Sequence, residues 1–163
     1  MALVLTARSP WFWLFFSGAS RGSGPGRLWH EFCVSCGQPH SGAEEPSLDR
    51  RIPALFDRRQ QLVTTEYVLV ELLDALTSPP VRAAAASAVA VFRRRRVLRI
   101  VPASTALLDE GIGWFSTHAD KRWSLTDCIS FVVMRREGII DALTNDHHFE
   151  QAGFRALLRT DPP

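Results

Sequence analysis

The chain has little of what would announce a partner. Its 163 residues carry 19 basic and 17 acidic side chains, a formal charge of +2, so no excess of one sign points to a strongly charged target. Lysine occurs once, at Lys121. Cysteine occurs three times, an odd number and too few for a disulfide framework, which favours a reducing cytoplasm. Long hydrophobic runs are also missing. The longest near the start is Trp11 to Phe16, whereas a secretory core needs about 7–15 apolar residues and a membrane span about 20. Neither export nor membrane anchoring is expected, and no internal repeat is visible. What remains is 46% hydrophobic and 22% charged, enough for the single core of one domain.

The texture changes near residue 50. The first fifty residues hold Gly18, Gly22, Gly24, Gly26, Gly37 and Gly42, and their apolar residues come in blocks without a sustained period. Only Ala2 to Leu5 reads as a short strand, and Ser17 to Gly26 has the composition of a flexible linker. Residues 1–50 are therefore expected to be an atypical segment, disordered or altered by a frameshift, ahead of a domain spanning 51–163.

From Arg51 onward the punctuation is orderly. Gln61 to Thr64 is β-prone, and Thr65 offers an N-cap to a helix with apolar positions Val68, Leu69, Leu72, Leu73 and Leu76. Ser78-Pro79-Pro80 opens a second helix that runs to the arginines 93–96, which suit the negative pole of its dipole. Val97 to Val101 reads as a buried strand. Ser104 or Thr105 caps a third helix, and Ser124 caps a fourth that stops at Gly138. Ile139 to Thr144 is another strand, followed by a helical turn from His147 to Ala152 and a β-prone stretch from Phe154 to Leu158. Strands alternating with helices predict an α/β domain with a parallel sheet.

Ligands in such sheets gather beyond the carboxyl ends of the strands, and three acids fall there. Glu71 lies in the first helix off its most apolar stripe, Asp127 in the first turn of the fourth, and Asp146 two residues past Thr144. Carboxylates brought together from separate segments repel unless a cation neutralises them, and hard oxygen donors favour Mg²⁺ or Mn²⁺. Each acid also has a purely structural reading: Glu71 as a solvated helix residue, Asp127 as the partner of Ser124 in a capping box, and Asp146 as an Asx turn.

Three stretches weigh on that choice: VTTEYVLVELLDAL at 63–76, DKRWSLTDCISFVVM at 120–134 and ALTNDHHFEQAGF at 142–154. In this order they resemble the PIN-domain family, especially the VapC-like toxin ribonucleases of bacterial type II toxin–antitoxin pairs. The resemblance implies a three-layer α/β/α sandwich with a central parallel sheet and Mg²⁺-dependent hydrolysis of RNA, with Mn²⁺ as a substitute. It matches Glu71, Asp127 and Asp146 to the family's metal-binding catalytic acids. The partners it implies are an RNA substrate, a small antitoxin protein and a second copy of the chain in a homodimer.

One departure stands against these agreements. The family opens with a strand ending in an aspartate that is a central metal ligand, and Leu5 occupies that place here. Asp49 and Glu31 have no hydrophobic strand leading into them, so the first ligand is assigned to no residue. Two functional expectations follow: a ribonuclease, or a silent PIN-like protein that binds RNA or an antitoxin without cutting.

Other constellations are weaker. Cys33 and Cys36, with His30 and His40, are of zinc-ligand type but lack paired half-sites. Cys128 reads as a buried core thiol. Lys121 and Arg122 are candidate contacts to RNA phosphates, whereas the arginines 93–96 fit a solvated helix end better. His147 and His148 adjoin Asp146, so one imidazole is placed to approach a scissile phosphate or order the site, although exposure at a helix start is the favoured expectation; Trp123 is expected in the core rather than stacked on a base.

Overall fold

Proline, glycine and hydroxyl caps divide the described residues into five strands and five helices. The computed structural model describes residues 2–5 and 61–159, to which every structural statement below refers. In chain order the elements are β1 (Ala2–Leu5), β2 (Gln61–Thr65), α1 (Glu66–Ala75), α2 (Pro79–Phe92), β3 (Leu98–Val101), α3 (Thr105–Thr117), α4 (Leu125–Arg136), β4 (Asp141–Leu143), α5 (His147–Gln151) and β5 (Arg155–Ala156).

The helix starts follow from side-chain chemistry. Thr65, Ser104 and Ser124 each accept a hydrogen bond from a backbone N–H of the first turn, and the prolines of α2 sit where a missing N–H costs nothing. Helix α4 ends where Gly138 takes a φ of 64°, a left-handed conformation suited to glycine.

The strands form one sheet in the order β3-β2-β1-β4-β5, and every pairing is parallel. Successive strand residues serve opposite faces. Leu62 and Leu143 join one core with Val68, Leu69, Leu72, Val89 and Phe92, whereas Val63 and Ala142 join another with Ile129, Phe131, Val133 and Phe149. Helices therefore cover both faces, giving the expected three-layer α/β/α sandwich.

The strand order contains the feature that positions a site. The chain lays down β1, β2 and β3 in one direction, then returns to add β4 and β5 on the far side of β1. The order reverses between β1 and β4, and a crevice at such a switch point, beyond the carboxyl ends of the strands, is where open α/β sheets bind ligands.

Two expectations are altered. Ala2 to Leu5 forms the central strand, with Leu3 paired to both Leu62 and Asp141; a boundary at residue 51 thus leaves out the middle of the sheet. The rest of residues 1–50, including the linker, the frameshift reading and the Cys33–Cys36 cluster, lies outside the described residues. The last two strands are also shorter than their β-prone stretches: Ile140 is exposed before β4, and β5 is Arg155–Ala156, with Leu157 and Leu158 continuing as single backbone hydrogen bonds to Ala142 and Thr144.

Candidate metal centre

Asp146 follows β4 at its carboxyl end and is held from two sides. Its backbone N–H donates to the Thr144 hydroxyl at 3.1 Å, while its Oδ1 accepts the His148 backbone N–H at 2.9 Å, capping α5. Asp127 comes from the first turn of α4. Its Oδ2 accepts the Ser124 N–H at 2.8 Å and its own N–H donates to Ser124 Oγ at 3.1 Å, completing a capping box. The structural readings of both acids are thus realised, and they aim the carboxylates rather than exclude chemistry.

The His148 ring lies between the two acids. Its Nδ1 is 3.3 Å from Asp146 Oδ1 and 3.6 Å from Asp127 Oδ2. The three side chains are only 6–10% exposed, and His148 Nδ1 has no hydrogen-bond partner among the described residues. His147 is half exposed, its Nδ1 3.6 Å from the same Asp146 oxygen and its ring centroid 4.3 Å from that of His148. Asp146, His147 and His148 can each present one ligand atom within 4.8 Å of the others.

The favoured expectation of exposure holds for His147 alone, and His148 takes the alternative place beside the acids. The available signal was the aromatic Phe149 next to it, which the structure buries completely as one face of the short helix turns inward.

Glu71 lies in α1, six residues past Thr65, and is partly buried. Helix α1 packs against α4, yet neither Glu71 nor Asp127 belongs to the close group formed by Asp146 and the two histidines among the described residues. The structure thus brings a carboxylate oxygen of Asp127 and one of Asp146 to the same imidazole nitrogen.

The surroundings suit a cation. Asp127 and Asp146, both nearly buried, each bring a carboxylate oxygen within 3.6 Å of a ring nitrogen that has no hydrogen-bond partner among the described residues, and buried charge is stabilised by a counter-charge. The starts of α4 and α5 offset part of the negative charge. The field of Asp127 also reaches its neighbour: burial first, and then the Asp127 charge, push the Cys128 thiol up to about 11. Two carboxylates and an open imidazole nitrogen form a donor set that fits a divalent metal ion.

The expected RNA contacts divide. Lys121 is paired with Asp120 at 2.8 Å, and the resulting hydrogen bond holds the Asp120 carboxyl below its usual range, while Arg122 is exposed. Trp123 is in the core as expected, edge-on to Phe131 at 5.1 Å, with its ring N–H donating to Gln151 at 3.1 Å. In the arginine run, Arg93 reaches Glu66 at 2.8 Å and all four remain exposed.

Comparison with known proteins agrees with this geometry. The family model of the PIN domain matches residues 39–155. The 23S rRNA-specific endonuclease VapC20 of Mycobacterium tuberculosis, from strains CDC 1551 / Oshkosh and H37Rv, is 32% identical over 93 residues, covering 57% of this chain and 70% of that protein. Among solved structures, a crystal structure of Mycobacterium tuberculosis VapC20, described as a sarcin–ricin loop cleaving toxin, superposes with a TM-score of 0.63. It is 23% identical, and the match covers 95% of this chain and 98% of that one. With the family model matching residues 39–155, most of its length, the chain belongs to the PIN-domain family.

Proposed function

We propose that this protein is a divalent-metal-dependent endoribonuclease, the toxin of a toxin–antitoxin pair, with Asp127, Asp146 and Glu71 as its acidic residues. The carrying observation is the convergence of Asp127 and Asp146 on the buried His148 nitrogen at the sheet's switch point. The relative VapC20 is a 23S rRNA-specific endonuclease, and transferring that activity makes a structured RNA loop the substrate class. The proposal places the protein in the cytoplasm with a small antitoxin and allows a homodimer. Among the described residues no helix is long and apolar enough to cross a membrane.

In this reading Asp127 and Asp146 hold the ion, Mg²⁺ or Mn²⁺, and Glu71 approaches from α1. A bound divalent ion supplies Lewis-acid stabilisation of charge on the phosphodiester and activates water for attack. The protein's own contribution is orientation. The capping box fixes the Asp127 carboxylate, the Asp146–His148 backbone bond fixes the second, and both are kept nearly dry. In this reading Lys121, exchanging Asp120 for the substrate, and Arg122, just before α4, meet RNA phosphates.

The test is cleavage of a 23S rRNA fragment by purified protein. Asp146→Asn should abolish it, and EDTA should stop the unaltered enzyme. Undiminished cleavage in either case overturns the reading. Leu5 at the end of the central strand favours a second reading, a silent domain, because the family's first acid is absent there. Such a protein binds RNA without needing Mg²⁺ and leaves it intact.

A further inference from the structure

The group around Asp146 differs in chemistry from an all-carboxylate centre. It offers one carboxylate and two imidazoles, from Asp146, His147 and His148, with each ring Nδ1 at 3.3 or 3.6 Å from the same Asp146 oxygen. One of these nitrogens is buried and has no hydrogen-bond partner among the described residues. A ring nitrogen in that position is either a costly defect or a ligand held ready.

The donor types also discriminate between ions: imidazole nitrogen suits zinc, cobalt, nickel and copper, whereas Mg²⁺ binds through oxygen. Where the family carries an acid at the end of its first strand this chain has Leu5, and two imidazoles stand beside Asp146.

From this geometry we infer that Asp146, His147 and His148 form a two-imidazole, one-carboxylate site selecting a borderline transition-metal ion over Mg²⁺, with Asp127 facing the buried ring. The inference rests on the metal-dependent reading above and sharpens its choice of ion. His148 is the interior ligand and His147 the solvent-side one. Asp146 is shared by both, its carboxylate pinned by the start of α5.

Full-length protein is titrated with Co²⁺, following visible absorption, and then challenged with Mg²⁺. Tight Co²⁺ binding that a tenfold excess of Mg²⁺ fails to displace is expected, following the preference of nitrogen donors. His147→Gln and His148→Gln should each weaken Co²⁺ binding by about tenfold or more and alter the absorption bands. His147 is half exposed, so its substitution tests ligation even if the His148 variant fails to fold.

Displacement of Co²⁺ by equimolar Mg²⁺ overturns the inference, as does a folded His147→Gln protein with unchanged Co²⁺ affinity and spectrum. RNA cleavage is assayed in parallel with each metal. Metal-dependent cleavage beside Co²⁺ binding that ignores both imidazoles overturns this inference and leaves the nuclease reading standing. Histidine-dependent Co²⁺ binding without cleavage in any metal supports the site and removes the nuclease.

Discussion

Asp127 has two duties that a single substitution can separate. Its carboxylate closes the capping box of α4 and faces His148, so replacement by alanine would remove a cap and a candidate ligand together. Asparagine keeps an oxygen acceptor for the Ser124 N–H but loses the charge. Asp127→Asn is therefore expected to retain its melting temperature within a few degrees while metal-dependent RNA cleavage falls by at least about 10²-fold, checked by thermal melting beside a cleavage assay. Ser124→Ala should instead cost about 1 kcal/mol in urea denaturation. The adjoining Cys128 carries a pH consequence. Its thiol is raised from 9.0 to about 11 by burial, so the folded state favours the protonated form. This contribution to stability is complete below the unfolded thiol's pKa and is lost as pH rises through about 11. Cys128→Ala should flatten the alkaline limb of the stability profile between those values, as measured by denaturation at a series of pH values.

At the level of elements, α4 is the axle of the second core. Eight consecutive residues, from Asp127 to Met134, are buried, so the helix is enclosed on all sides rather than amphipathic. Helix α3 crosses it where Gly111 meets Ile129, and a Cβ added at Gly111 would collide with the isoleucine side chain. Gly111→Ala should destabilise the fold by about 1–3 kcal/mol in urea denaturation, more than offsetting alanine's better helix propensity. A second element-level contact joins β4 and β5, where buried Asp141 accepts from exposed Arg155 at 2.6 Å across paired positions.

The helices were largely legible before the structure, because caps and prolines are local chemistry; Thr65, Ser78 and Ser124 mark their starts. Asp127 and Asp146 were legible through their neighbouring words. The burial of His148 was not, since α5 has only five residues and so short a helix displays no period. Strand β1 was legible as a strand but not as the centre of the sheet, because its partners lie at residues 61–63 and 141–143 and no local pattern encodes such distant pairing.

For the molecule as a whole, β1 holds the two halves of the sheet together and ends beside the candidate centre. Its last residue, Leu5, pairs with Leu143 three positions before Asp146. Introducing a carboxylate there should restore the donor that the family carries. Leu5→Asp is expected to raise affinity for Mg²⁺ by about tenfold or more, with a matching gain in RNA cleavage, measured by calorimetric titration and by gel assay. No gain in either would show that the strand's end does not reach the ion.

The place of β1 also has a consequence for synthesis. Of the five described strands β1 is made before the rest, yet it pairs with β4, whose Asp141 lies opposite Leu3. Until residue 141 has emerged, one edge of β1 has no neighbour, and Asp146 and both histidines do not yet exist. A nascent chain that has not yet reached residue 148 therefore carries no assembled centre. Closing so long a loop delays the native pairing and makes folding slow. That delay separates the making of the first strand from the assembly of the centre.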